Sequence, residues 1–152
     1  MAVKQYALSH IQQRNYVIIV SLDVQDSFDA AWWPSILCNL RALNCSRNLY
    51  NLPSSYFSES VVILHTNTCT YRVERKVTAG CPQGSCCGPG FWNMLYNDLL
   101  NMKYSSHTKL IAFSDDLAIR TYGKSLSEAE AYANSDLTTI EKWVWDNKMK
   151  LN

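Results

Sequence analysis

The sequence predicts an α+β fold, with helices packed against an antiparallel sheet, and three observations predict it. Short strand-like segments come in two successive pairs, about Glu59–His65 with Thr70–Val77 and Lys109–Phe113 with Leu117–Thr121, and each pair is joined by a link of hairpin length. Apolar residues recur at helical spacing in residues 31–44 and again beyond Ser125. The segments follow one another in the order α β α α β β α β β α.

The elements can be justified in turn. Residues 1–14 suit a partial helix. Residues 16–23 form a β-branched run, Tyr16-Val-Ile-Ile-Val-Ser-Leu22, that ends in Asp23 and reads as a buried strand. In 31–44, Trp33, Ile36, Leu37, Leu40 and Leu43 mark one helical face. Residues 46–57 offer a second helix, with Pro53 against it. In the strand that follows, Val61, Ile63 and His65 alternate with Val62 and Leu64, which predicts burial on both faces, and Thr66-Asn-Thr-Cys69 supplies a hairpin link. Ala79-Gly-Cys-Pro-Gln-Gly-Ser85 holds two glycines and a proline and cannot be regular structure. Gly88-Pro89 then opens a helix, with Phe91, Leu95, Leu99 and Met102 on its apolar side. Ser114-Asp115-Asp116 separates the last two strands. Ser125-Leu-Ser-Glu128 is a capping box, and the helix it starts carries Leu126, Ala129, Ala133, Leu137, Ile140 and Val144 to a stop near Asn147.

The 152 residues make one domain or a piece of a larger protein. An apolar fraction of 47% against 18% charged excludes wholesale disorder. The formal net charge of +1 gives no sign of a self-contained nucleic-acid binder. No run of 18 apolar residues exists, so no membrane span is expected. Without a signal-peptide core, the cysteines are expected to be reduced thiols of a cytoplasmic or nuclear protein, not a secreted one. His10, His65 and His107 complete no zinc spacing.

The chemistry concentrates in three places. Asp23 closes one strand, and Asp115-Asp116 interrupts another pair. Asp-Asp in a hairpin is also ordinary turn chemistry, and Asp23 also suits a plain strand end. Carboxylates crowded on central strands raise one another's pKa unless a cation lies between them, and hard divalent cations such as Mg²⁺ take such oxygen ligands. The third place is Gly80-Cys-Pro-Gln-Gly-Ser85, where Gly80 and Gly84 permit close backbone approach to a flat ligand and Gln83 brings an amide. A plain connecting loop is the other reading of that segment.

Four segments in order resemble the palm of a reverse transcriptase from non-LTR (LINE-type) retrotransposons, most closely arthropod elements of the Jockey and ribosomal-DNA-inserting groups. They are Ser21-Leu-Asp-Val-Gln-Asp-Ser-Phe-Asp29; Gly80-Cys-Pro-Gln-Gly-Ser85, running on through Gly88 to Leu100; Ala112-Phe-Ser-Asp-Asp-Leu117; and Trp143 with Asn147-Lys-Met-Lys-Leu-Asn152. Trp32-Trp33, Asn48-Leu-Tyr50 and Ser55-Tyr56 add to the likeness, which covers nearly the whole chain. Asp26-Ser27 stands where a Gly-Ala pair is common in the family, and Ser114 where Ala is usual.

The resemblance implies a palm fold with helices on one face of the sheet, truncated fingers and no thumb. Residues 1–152 would be a partial reverse transcriptase domain, with three motifs complete and the fourth cut off. The missing phosphate-binding surface would account for the neutral charge. The implied reaction is RNA-directed DNA synthesis, in which a primer 3′-hydroxyl attacks a dNTP with two Mg²⁺ ions as cofactors. RNA template, DNA primer and dNTP would be partners of the full-length parent, and the isolated fragment is expected to be inactive. Asp23, Asp115 and Asp116 would bind the metals. Asp26 and Ser27 would offer backbone N–H groups to the triphosphate, and Phe28 would be a steric gate against a ribose 2′-hydroxyl. Gln83 and Gly84 would line the nucleotide and template pocket. Phe28 equally suits a core position, and Asp26 a turn. The alternatives are a catalytically inactive retrotransposon remnant and a non-enzymatic interaction module with Trp32, Trp33, Trp92, Trp143 and Trp145 as its contact surface.

Overall fold

The computed structural model describes residues 2–65, 72–82 and 84–152. The elements are α1 (Ala2–Gln12), β1 (Tyr16–Leu22), α2 (Ser27–Ala30), α3 (Trp33–Ala42), α4 (Arg47–Phe57), β2 (Val61–His65), β3 (Arg72–Lys76), α5 (Gly88–Leu100), β4 (Thr108–Phe113), β5 (Asp116–Gly123) and α6 (Leu126–Asp146). The α+β expectation holds, with the one-turn helix α2 as an addition. The chain divides into two compact units, one made of the residues up to Ser27 with Asn97–Asn152, the other of Phe28–Tyr96.

The first unit is built on a three-stranded antiparallel sheet in the order β1-β5-β4. Only β5 is central, so the apolar runs of β1 and β4, expected to be central strands, lie at the edges. Side chains alternate between the faces. Leu117, Ile119 and Thr121 are buried on one of them, and Thr121 shares a hydroxyl–hydroxyl bond of 3.0 Å with Thr108. α6 packs on this face: a Cβ at Gly123, which belongs to the same set, would lie 2.6 Å from the Ala129 backbone nitrogen. Arg120 and Tyr122 project to the other face and meet α1. The Arg120 guanidinium lies 4.4 Å over the Tyr6 ring, and Tyr122 stacks on His10 at 4.0 Å. The helices therefore occupy both faces of the sheet, and the expected one-face arrangement is corrected, because α1 covers the buried Arg120 and the Tyr122 ring on the second face. A line of rings continues from Tyr122 to His107 at 5.0 Å and from His107 to Tyr132 at 4.5 Å.

α6 starts as its sequence predicts, with the Ser125 hydroxyl accepting the Glu128 N–H. The return bond of the box is displaced by one residue, since the Glu128 carboxylate accepts from the Lys124 N–H at 2.7 Å. The helix ends in a Schellman turn. Lys148 takes a left-handed φ of 60°, the Met149 N–H reaches the Val144 carbonyl, and the Lys148 N–H reaches that of Trp145. Trp143 is buried and donates its indole N–H to Asp98 at 2.8 Å.

In the second unit, α3 buries Trp33, Ile36 and Leu40 of its predicted face, whereas Leu43, just past its end, is exposed. α4 runs through Pro53, which is buried. Trp33 stacks on Phe57 at 4.9 Å, and Phe57 meets Phe91 of α5 at 4.8 Å. β2 and β3 pair antiparallel as a separate two-stranded ribbon; the expected link at residues 66–69 lies outside the described residues. Val61, Val62 and Ile63 are exposed, so the expectation of a strand buried on both faces fails: among the described residues β2 pairs only with β3, in a two-stranded ribbon.

Candidate active site

Two sheet edges deliver the acidic residues to one end of the first unit. The last β1–β5 pair is Leu22 with Leu117, and the last β4–β5 pair is Phe113 with Asp116. One further step in register sets Asp23 beside Asp116, although they lie 93 positions apart in sequence. The hairpin is tighter than the sequence suggests: Asp116 belongs to β5, and Ser114-Asp115 alone form the turn. Ser114 carries a φ of 57°, a left-handed conformation at the position a II′ turn normally gives to glycine. Such a residue stores roughly 1–3 kcal/mol of backbone strain, placed here next to Asp115.

Two of the carboxylates accept short hydrogen bonds from neutral side chains. The buried Ser27 hydroxyl donates to Asp115 Oδ2 at 2.7 Å. That bond is the main reason the Asp115 carboxyl titrates below its ordinary value; burial opposes the shift, and the Asp115 N–H and Ser114 hydroxyl add to it. Asp23 Oδ2 accepts from the Asn152 side-chain amide at 2.7 Å. The backbones of the same two residues are also joined, since the Asn152 N–H donates to the Asp23 carbonyl at 3.0 Å. Asp116 and Asp23 are exposed.

The register thus brings the three aspartates to one sheet end, but among the described residues no group of three His, Cys, Asp or Glu side chains is gathered at metal-ligating range. The donor set itself is all carboxylate oxygen and fits a hard divalent cation. Asp26 is exposed, with a left-handed φ of 49°. Asp tolerates this conformation better than most side chains. Ser27 is the first residue of α2.

The second unit holds the other candidates. Phe28 is half-buried, its ring 5.3 Å from that of Trp92, which is 1% exposed. Gln83 lies outside the described residues. Gly84 has a φ of 83° with open space where a Cβ would be. Gly80 departs from its expected role. Its φ is 104°, and a Cβ there would meet the Asp29 carbonyl at 3.2 Å, so the close approach is to the chain itself. Its N–H donates to Ala31 and its carbonyl accepts the Trp33 indole N–H, both within 2.8 Å. A cleft of about 520 Å³ opens beside this loop, lined in part by Asp29, Tyr56, Val61, Cys81 and Pro82.

Two contributors escape sequence reasoning. Ser27 was expected to act through its backbone, yet its hydroxyl makes the bond to Asp115. Asn152 belongs to the fourth motif, and only its place in that motif could have drawn notice. The tryptophans do not form a contact surface, because Trp33, Trp92 and Trp143 are buried; Trp145, at 76%, is exposed.

The family described as "Reverse transcriptase (RNA-dependent DNA polymerase)" matches residues 2–152. The chain is 32% identical, over 84% of its length, to a 115 kDa protein of the type-1 retrotransposable element R1DM of Drosophila melanogaster, of which it covers 12%. It is 33% identical, over 86% of its length, to the Pol polyprotein from the type-1 retrotransposable element R1 of Bradysia coprophila, of which it covers 13%. With the RNA-directed DNA polymerase from mobile element jockey of Drosophila melanogaster, identity is 27% over 99% of this chain and 17% of that protein. The chain thus spans less than a fifth of the length of these relatives. With the match running from residue 2 to the last residue, the chain belongs to the reverse transcriptase family, beside proteins of non-LTR retrotransposons.

Proposed function

We propose that this chain is the catalytic segment of an RNA-directed DNA polymerase of a non-LTR retrotransposon, working in the cytoplasm or nucleus on an RNA template, a DNA primer and dNTPs. The observation that carries the proposal is the register of β1, β5 and β4, which supports a shared site for Asp23, Asp115 and Asp116. These three carboxylates are the residues that would hold two Mg²⁺ ions. When bound, the ions supply activation of the primer 3′-hydroxyl and charge neutralisation on the departing pyrophosphate.

The chain's own residues bind and orient. Ser27 holds Asp115 through its hydroxyl, and the Asp26 and Ser27 N–H groups are assigned to the triphosphate. Phe28 is assigned to exclude a 2′-hydroxyl by the bulk of its ring. Gln83 and Gly84 are assigned to the nucleotide and template pocket; the open space at Gly84 supports that assignment. One observation favours a second reading, an inactive remnant: no group of three carboxylates is gathered among the described residues.

The two readings separate in a chimera in which this chain replaces the matching segment of the jockey polymerase. The proposal expects primer extension on an RNA template that is lost in Asp115→Asn. A folded but inert chimera favours the remnant. In an active chimera, Phe28→Ala is expected to admit rNTPs while dNTP use persists.

A further inference from the structure

We propose that Asn152 is a positioning residue for Asp23: its side-chain amide occupies one carboxylate oxygen and thereby presents the other to a divalent cation. The inference rests on the assignment of Asp23 as a metal ligand under Proposed function.

Three features of the first unit lead there. The first is the short bond itself, 2.7 Å from Asn152 Nδ2 to Asp23 Oδ2, across 129 positions of sequence. A short bond to a charged acceptor is of the stronger kind.

The second is the path that delivers Asn152. The Schellman turn at Lys148 sends the chain back from α6, and Met149 is buried immediately after it. Lys150, Leu151 and Asn152 then run antiparallel to the residues that follow β1. The Gln25 N–H donates to the Lys150 carbonyl at 2.9 Å, Val24 bridges Leu151, and the Asn152 N–H donates to the Asp23 carbonyl. Asn152 is therefore fixed by its backbone before its side chain acts, and its amide has only two torsions left to order.

The third is the chemistry of the donor. A Lys or Arg at this place would neutralise the carboxylate and repel a cation. A neutral amide fixes the orientation and leaves the charge in place, which is what a group behind a metal ligand must do.

Mn²⁺ binding to the 152-residue chain, followed by the loss of the free-ion paramagnetic resonance signal, together with thermal melting, tests the proposal. Asn152→Ala removes the amide but none of the backbone bonds. Its affinity is expected to fall roughly 10–100-fold, with an unchanged melting temperature and partial recovery in Asn152→Ser. Leu151→Ala loosens the strap and keeps the amide, so it should melt earlier with its affinity retained. If Asp23→Asn abolishes binding while Asn152→Ala binds like the parent chain, the positioning role is overturned and the metal reading stands. If Asp23→Asn binds like the parent chain, both are overturned. Parallel losses of affinity and stability in Asn152→Ala and Leu151→Ala reduce the segment to a structural strap and also overturn the proposal.

Discussion

The two ends of the β1-β5-β4 sheet are built from the same ladder and finished in opposite ways. At the end reached by Tyr16 and Gly123, rings close over one another from Tyr6 through His10, Tyr122 and His107 to Tyr132, and Arg120 is buried beneath Tyr6. At the other end Asp23 and Asp116 are exposed, Phe113 is 80% exposed, and the turn between the strands is strained at Ser114. Packing holds the first end, and hydrogen bonds, among them those from Ser27 and Asn152, hold the second. The contrast teaches a division of labour. Ring contacts and burial carry stability where no chemistry is proposed, which lets the carboxylate end carry strain and uncovered charge.

The sharpest way to break this comparison is to remove a carboxylate. In the active chimera, Asp115→Asn should lower primer extension on the order of a hundredfold to a thousandfold with only a small fall in melting temperature, since the amide oxygen can still accept from Ser27; a large loss of stability would mean that the exposed end is structural. Tyr122→Ala tests the other end. It deletes the stack on His10 and the contact with His107, so chemical denaturation should show a loss of about 2–4 kcal/mol with Mn²⁺ affinity retained. Ser114→Gly should relieve the left-handed strain and stabilise the chain by about 0.5–1 kcal/mol, an effect measurable in the same denaturation series.

The smallest expected effect is a pH dependence. The Asp115 carboxyl titrates lower in the folded chain than in the unfolded one, with the Ser27 bond as the first cause. Its contribution to stability is therefore complete above the ordinary carboxylate pKa near about 4 and is lost as the pH falls through the lower folded value. Ser27→Ala should accordingly melt earlier than the parent chain at neutral pH, and the gap should narrow in acid. A gap that stays constant down to low pH would show that Ser27 acts by packing alone.

Much of this was legible in the sequence because it follows from local pattern. The Ser125 cap and the start of α3 appear where their residues predict them; the β-branched run ending at Asp23 is a strand, but an edge strand with no fully buried residue and not the buried one expected. What local pattern cannot carry is the partner across space. Val61–Ile63 have the composition of a core strand, but burial depends on what packs across the ribbon, and these three side chains are exposed. Gly80 looks like a ligand-facing glycine, and only the fold reveals the Asp29 backbone against it. The hydroxyl of Ser27 and the amide of Asn152 reach aspartates 88 and 129 positions away, and no window of sequence contains both members of either pair.

Cys81 is 1% exposed in the loop after β3, and burial pushes its thiol up to about 11. At neutral pH only about one molecule in ten thousand then carries the reactive thiolate. Cys38, Cys86 and Cys87 are exposed by comparison. An alkylating reagent should mark those three at once and reach Cys81 only when the second unit opens. With the other five cysteines replaced, the slow modification of Cys81 becomes a stopwatch for local opening around the Gly80 loop, readable by mass.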